Sequence, residues 1–156
     1  GWAAGPSPWL RRGDATAAGD LRGQLAVMAE GTEPSFGTPA RGPVYLVCTH
    51  GRRDACCGRL GAPLARALDA AYPGQVWEST HVGGHRYAAN LVILPHGLYY
   101  GPVDAASGAA AIDAYQRGQV APGRYRGRAG QPRDVQEGRY RAMTAAGDFA
   151  LGGLGS

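Results

Sequence analysis

The residues of this 156-residue chain best placed by type and spacing to do chemistry are its three cysteines and a pair of histidines. Cys48 and Cys57 stand nine positions apart, with Cys56 beside the second. His81 and His85 stand four apart, with Gly83 and Gly84 between them. Thiolates are soft donors that suit iron–sulfur clusters and zinc, and neutral imidazole suits either. The two glycines allow a tight backbone path, so that both rings can face one centre. They also disfavour a helix through the pair. Two cysteines and two histidines fit structural zinc as well, but such sites usually pair cysteines two to four residues apart. Spacing alone leaves iron–sulfur and zinc both open.

The other roles for these thiols are weaker. An odd cysteine count with two adjacent members is a poor disulfide framework. It favours a reducing, cytoplasmic setting with the cysteines used for metal or redox chemistry. A thiol–disulfide oxidoreductase would want C-x-x-C after the first strand, and that motif is missing. No carboxylate pair is placed for glycoside hydrolysis.

The elements that must position these residues can be read from the pattern. Val44 to Val47 is a short apolar run that reads as a buried strand, with Cys48 to Gly51 as the loop after it. Arg52 to Gly61 is ambiguous. Asp54 could cap a helical turn, but Gly58, Gly61 and Pro63 argue against one continuous helix. Pro63 suits the first position of a helix to about Ala71. Val76 to Ser79 reads as a second strand, Thr80 to Ala88 as a loop and Asn90 to Leu94 as a third strand. Pro95-His96-Gly97 turns the chain into a fourth strand, Leu98 to Val103. Asp104 caps a helix to about Arg117, and Gly118 stops it. Tyr125 to Arg128 and a helix from Arg133 to about Ala146 read as an extension packed on the sheet or its edge. Cys48 and His81 each directly follow a strand. In a parallel sheet the loops after neighbouring strands share one edge, where ligands gather. The order strand, helix, strand, hairpin, helix is that of an α/β thioredoxin-like fold, a central mixed sheet flanked by helices.

Composition narrows the classes further. With 44% hydrophobic and 18% charged residues, the chain is a globular profile long enough for one core. Its unbroken apolar runs, Leu91 to Leu94 among them, are far short of a membrane span. No stretch reads as a signal peptide. The net charge of +4 comes from arginines alone, densest at Arg124, Arg126 and Arg128. A solvated face is the plainest reading of that group, with a docking patch for an acidic redox partner as its rival. Nucleic-acid binding would want basic residues interleaved with stacking aromatics, and Tyr125 and Tyr140 alone do not supply them.

Three separated motifs carry a family resemblance. Cys48-Thr49-His50-Gly51-Arg52-Arg53-Asp54-Ala55-Cys56-Cys57 comes first, then Ser79-Thr80-His81-Val82-Gly83-Gly84-His85-Arg86-Tyr87-Ala88-Ala89-Asn90. Leu91 to Gly101 and the later Tyr125-Arg126-Gly127-Arg128 follow in order. Over roughly residues 43–146 the chain resembles the sucrase/ferredoxin-like family, whose members are thioredoxin-like ferredoxins. The resemblance implies an electron carrier with a [2Fe–2S] cluster, Cys48 and Cys57 on one iron and His81 and His85 on the other. It selects Cys57 over Cys56 as the ligand. Cys56 is then a buried or neighbouring thiol, with an exchange of roles with Cys57 left open, and His50 a neighbouring or solvent residue, with ligation as its lesser alternative. Arg52, Arg53 and Asp54 could form local salt bridges and a cap or, with Arg86, aim hydrogen bonds towards the cluster and tune its potential. His96, in the hairpin turn, reads as structural.

The expected organisation is residues 1–42 as an N-terminal arm or remnant of a preceding segment, 43–146 as the ferredoxin domain and 147–156 as a flexible tail. In the arm, Trp2 and Trp9 are expected to pack on the domain and Asp20 to cap a helix carrying Leu21, Leu25 and Met28. The expected partners are redox proteins, with neither nucleic acid nor membrane, for a monomer or weak homodimer.

Overall fold

The computed structural model describes residues 8–16 and 18–154. In chain order the elements are β1 (Arg11–Arg12), α1 (Arg22–Ala29), β2 (Thr38–Pro39), β3 (Val44–Cys48), α2 (Ala55–Ala71), β4 (Val76–Ser79), β5 (Leu91–Leu94), β6 (Leu98–Tyr100), α3 (Ala105–Gln116), β7 (Tyr125–Arg128) and α4 (Arg133–Ala146). The main sheet has the order β4-β3-β5-β6-β7. β3 and β4 are parallel, and the other neighbours are antiparallel. This is the mixed sheet that the pattern predicts, with the Tyr125 segment as its fifth, edge strand.

Alternation along the strands decides which side chains meet the helices. Tyr45 and Val47 of β3, Leu91 and Ile93 of β5, and Leu98 and Tyr100 of β6 form one buried face. Leu64 and Leu68 of α2 and Ile112 and Tyr115 of α3 pack in the same core. Each such side chain contributes roughly 1.5–3 kcal/mol by leaving water. The opposite face, at Val44, Leu46 and Trp77, lines a cleft of about 860 Å³ with residues 10–13 and 36–43. Arg12 lies 5.1 Å from the Trp77 ring, tying the β1–β2 ribbon to that face.

Several expectations need correction. Helix α2 starts at Ala55, with Asp54 as N-cap, and runs straight through Pro63. The glycines that argued against a helix are there for packing. A Cβ on Gly61 would overlap the Cys48 carbonyl oxygen, and one on Gly58 would come within 2.8 Å of the Gly51 Cα. Bare backbone is what lets α2 lie against the end of β3. Pro63 and Arg59 are both exposed, so water can take the Arg59 carbonyl that the proline leaves without its helical donor. Cys48 ends β3 rather than opening a loop. Strand β6 stops at Tyr100, and Gly101 and Pro102 follow it. Asp20 sits inside a 3-10 turn, Ala18–Leu21, and the N-cap of α1 is Leu21. Trp9 is half-buried; Trp2 lies outside the described residues.

The segment read as a flexible tail returns to the domain. The Val120 N–H donates to the Phe149 carbonyl (2.7 Å), and the Leu151 N–H donates to the Gly118 carbonyl (2.8 Å). Phe149 and Leu151 pack against the core. Among the described residues no helix is long and apolar enough to cross a membrane.

Candidate metal centre

The parallel pairing of β3 with β4 sets Cys48 opposite Ser79, so the chain leaves both strands at the same sheet end. The Thr49 N–H donates to the Ser79 carbonyl (3.1 Å) and holds the two exits together. From the β3 exit the chain turns through His50 to Asp54 and enters α2. Backbone bonds from Arg53 and Asp54 to the His50 carbonyl (3.2 and 3.3 Å) shape that turn. Cys57, in the first turn of α2, thereby comes back beside Cys48. From the β4 exit the next loop begins with His81 just beyond Thr80.

Cys48, Cys57 and His81 converge. One donor atom from each lies within 4.8 Å of the other two. Both cysteine side chains are 0% exposed. The Cys57 thiol is pushed up to about 12, first by burial and then by its contacts with Cys48 and Cys56. Two sulfurs and an imidazole are a soft donor set. It suits zinc or iron–sulfur and is unsuited to magnesium or calcium, which take oxygen ligands.

His85 opens a 3-10 turn, His85–Tyr87, and its side chain lies outside the described part of the structure. Its backbone lies in the same short loop as His81. Gly83 and Gly84 take φ of +89° and +67°, the left-handed conformation that turns the chain between the two histidines.

Two residues hold the site: Asn90, whose part was not legible in the sequence, and Asp54, which the sequence offered as a cap or ion-pair partner. Asn90 is nearly buried, and its side-chain amide donates to the Gly84 carbonyl (3.2 Å). Its own carbonyl accepts from the Cys48 N–H (3.2 Å). Asn90 therefore fastens the histidine loop to the strand that carries Cys48. Asp54 places Oδ2 3.6 Å from His81 Nδ1. A carboxylate beside a ligand imidazole orients the ring and raises its basicity. An isolated acid three residues before a cysteine was the available signal.

The remaining candidates lie around this group. Cys56 is half-buried beside Cys57. His50 is half-buried in the turn, outside the three-donor group. Arg52 and Arg53 are exposed in that turn. Arg86 faces the Tyr87 ring at 5.3 Å. His96 bonds the Tyr115 hydroxyl through Nδ1 (2.6 Å), and its carbonyl accepts from Arg128 Nε (3.0 Å). It is a structural residue of the hairpin turn.

Comparison with known proteins agrees with this architecture. The thioredoxin-like [2Fe-2S] ferredoxin from Aquifex aeolicus superposes with a TM-score of 0.50 at 16% identity, over 60% of this chain and 96% of that one. The fold is thus thioredoxin-like. Altered inheritance of mitochondria protein 32 from Meyerozyma guilliermondii is 34% identical over 95 residues, 54% of this chain and 34% of that protein. Its namesake from Eremothecium gossypii is 29% identical over 120 residues, 61% of this chain and 38% of that protein. The matched region therefore spans little more than a third of the length of these relatives. The family profile described as Sucrase/ferredoxin-like matches residues 17–127, so it begins within the stretch set apart as an arm and ends at the edge strand β7. On the strength of that match, which takes in both cysteine and histidine motifs, the chain belongs to the sucrase/ferredoxin-like family.

Proposed function

We propose that this protein is a one-electron carrier, holding a [2Fe–2S] cluster on Cys48, Cys57, His81 and His85. The observation that carries this reading is the convergence of two fully buried thiols and an imidazole at one end of the sheet. A bound cluster would supply reversible uptake of one electron, and replacing two thiolates by imidazoles raises its potential over an all-cysteine one. The protein's own residues do the rest. Cys48 and Cys57 give up their protons to become ligands. Their burial keeps water from the sulfurs. His81 offers one ring nitrogen to the metal, and Asp54, 3.6 Å from its Nδ1, helps to orient the ring. With such a cluster bound, a histidine ligand with a free ring nitrogen would couple electron uptake to a proton, and the potential would fall as pH rises through the histidine range. Electrons pass to and from partner proteins, and the carrier itself catalyses no reaction.

A second reading, a structural zinc module, is favoured by the spacing of the donors. Zn–S near 2.3 Å and Zn–N near 2.0 Å put tetrahedral donors roughly 3.5 Å apart, inside the 4.8 Å span. A thiol–disulfide function is disfavoured, because such chemistry needs an accessible low-pKa thiolate. Here both thiols are buried and that of Cys57 is pushed up to about 12.

The deciding experiment is a visible spectrum of anaerobically purified protein, with iron and sulfide assayed on the same sample. Sulfur-to-iron bands that bleach with dithionite, with about two irons and two sulfides per chain, are expected. A colourless protein with one zinc and no sulfide would overturn the electron-carrier reading. A potential that stays flat from acid to alkaline pH would remove the proton coupling alone.

A further inference from the structure

Beyond the Cys–His group, a cleft of about 650 Å³ opens between β7, α4 and the turn that carries Arg86 and Tyr87. Arg86, Arg126, Arg133 and Arg141 line it against one carboxylate, Glu137. Arg133 Nε is paired with that carboxylate at 3.1 Å. Among the described residues no carboxylate comes within ion-pair distance of Arg86, Arg126 or Arg141. Three uncompensated guanidiniums thus surround one concave space. The lining arginines are exposed, yet two of them converge on a single ring instead of spreading apart. Arg126 lies over Tyr87 with 3.3 Å from Cζ to the ring centroid, and Arg86 lies at 5.3 Å from the same ring.

The walls are fixed in place. Gly127 has φ +118°, and a Cβ there would overlap the Gln136 side chain of α4. Gln136 Oε1 accepts from the Arg128 N–H (3.1 Å), and its Nε2 donates to the Gln131 carbonyl (2.6 Å). Strand and helix are thereby sewn together behind the cleft. On the other side the Tyr87 N–H donates to the Gly84 carbonyl (2.8 Å). Tyr125, from the floor, packs with Tyr100 at 5.7 Å and Tyr140 at 6.3 Å between ring centroids. A preformed concavity with a few convergent polar groups is the usual form of a small-molecule site.

We infer that this cleft binds a small molecule bearing a dianionic phosphoryl group, a phosphate monoester or pyrophosphate in class, with Arg86, Arg126 and Arg141 as its charge partners. The guanidinium fork matches phosphate oxygens two at a time. With no carboxylate partner within ion-pair distance among the described residues, these three guanidiniums can meet more negative charge than a single carboxylate carries. The site is separate from the metal ligands and stands whatever metal they hold. Arg86 directly follows His85, so an occupant would rest on the loop that carries both histidines.

The test is calorimetric titration of the full chain with pyrophosphate, against sodium chloride of matched ionic strength and against hexaglutamate. One saturable pyrophosphate site is expected. Arg126→Gln and Arg141→Gln should each weaken it about tenfold or more, since each removes a charge-assisted pair. Arg126→Lys, which keeps the charge and loses the fork, should fall between, and it serves if Arg126→Gln does not fold. Arg66→Gln, an exposed arginine on α2, should leave affinity within twofold. No saturable binding at millimolar pyrophosphate would overturn the proposal. So would an equal loss in Arg66→Gln, which would mean only general charge attraction. Binding of hexaglutamate in place of pyrophosphate would also overturn it and make the cleft a docking point for an acidic protein.

Discussion

The two halves of the proposed metal centre are built in opposite ways. The cysteines sit on regular elements, Cys48 as the last residue of β3 and Cys57 in the first turn of α2, and both are 0% exposed. Their spacing is set by how closely a helix can approach a strand end, and Gly58 and Gly61 permit that approach. The histidines sit on an irregular loop between β4 and β5. That loop is shaped by left-handed glycines and fastened by the side chain of Asn90. Packing specifies the thiolates, whereas turn chemistry and a few hydrogen bonds specify the imidazoles. Changes on the cysteine side should therefore be all-or-none, and changes on the histidine side graded.

The sharpest break in this contrast is ligand exchange. Cys57→Ser should abolish bound iron, because it removes a thiolate from a closed, buried position. His81→Cys should retain a cluster and lower its potential by on the order of 100 mV or more. Iron assay and voltammetry on the two variants check this, and iron retained by Cys57→Ser would count against the contrast. The next largest effect separates the glycines. Gly61→Ala drives a methyl into the Cys48 carbonyl and should cost about 3 kcal/mol as overpacking against backbone. Gly83→Ala meets nothing within 4 Å and should cost roughly 1–2 kcal/mol, for a left-handed conformation only. Urea unfolding of both variants measures the difference.

A third prediction concerns the fastening of the loop. Asn90→Ala deletes the bond to the Gly84 carbonyl and should cost about 1 kcal/mol. As the loss of a group supporting the ligands, it should also weaken metal retention about tenfold. Chelator competition reads the second effect. The smallest effect is one of pH. In the metal-free protein the Cys57 thiol is pushed up to about 12 from an ordinary 9.0. A raised folded pKa favours the protonated form in the folded state. Its contribution to stability is then complete below about pH 9 and is lost as pH climbs towards 12. The unfolding midpoint should fall across that window, and the fall should shrink in Cys57→Ser. For the same reason, metal uptake should strengthen as pH rises.

Much of this was legible in the sequence because the strands are short, apolar and bounded by turns. Val44 to Cys48, Val76 to Ser79 and the hairpin across Pro95-His96-Gly97 announce themselves, as does Asp104. Its carboxylate accepts from the Ser107 N–H while Ser107 Oγ accepts from the Asp104 N–H, a complete capping box. Helix α2 was illegible for a physical reason. Gly58, Gly61 and Pro63 count against a helix as local propensity, and only the neighbouring strand shows why bare backbone is wanted there. The pairing of Asp54 with His81 and the reach of Asn90 to Gly84 were hidden likewise. Each joins residues whose proximity exists only after β3 and β4 have aligned. The return of the C-terminal segment to the core beside residues 118–120 depends on Phe149, one aromatic in a glycine-rich stretch, too little for a pattern.

The β3–α2–β4 unit has one more consequence, for how the chain is tied. Cys48 closes its first strand and His81 follows its last, so any metal that joins them staples the ends of a complete strand–helix–strand unit. By the entropy of loop closure, a cross-link of this span disfavours the unfolded chain by about 4 kcal/mol. The prosthetic centre would then double as the knot of the fold, and a chain stripped of it would loosen first in this half of the sheet.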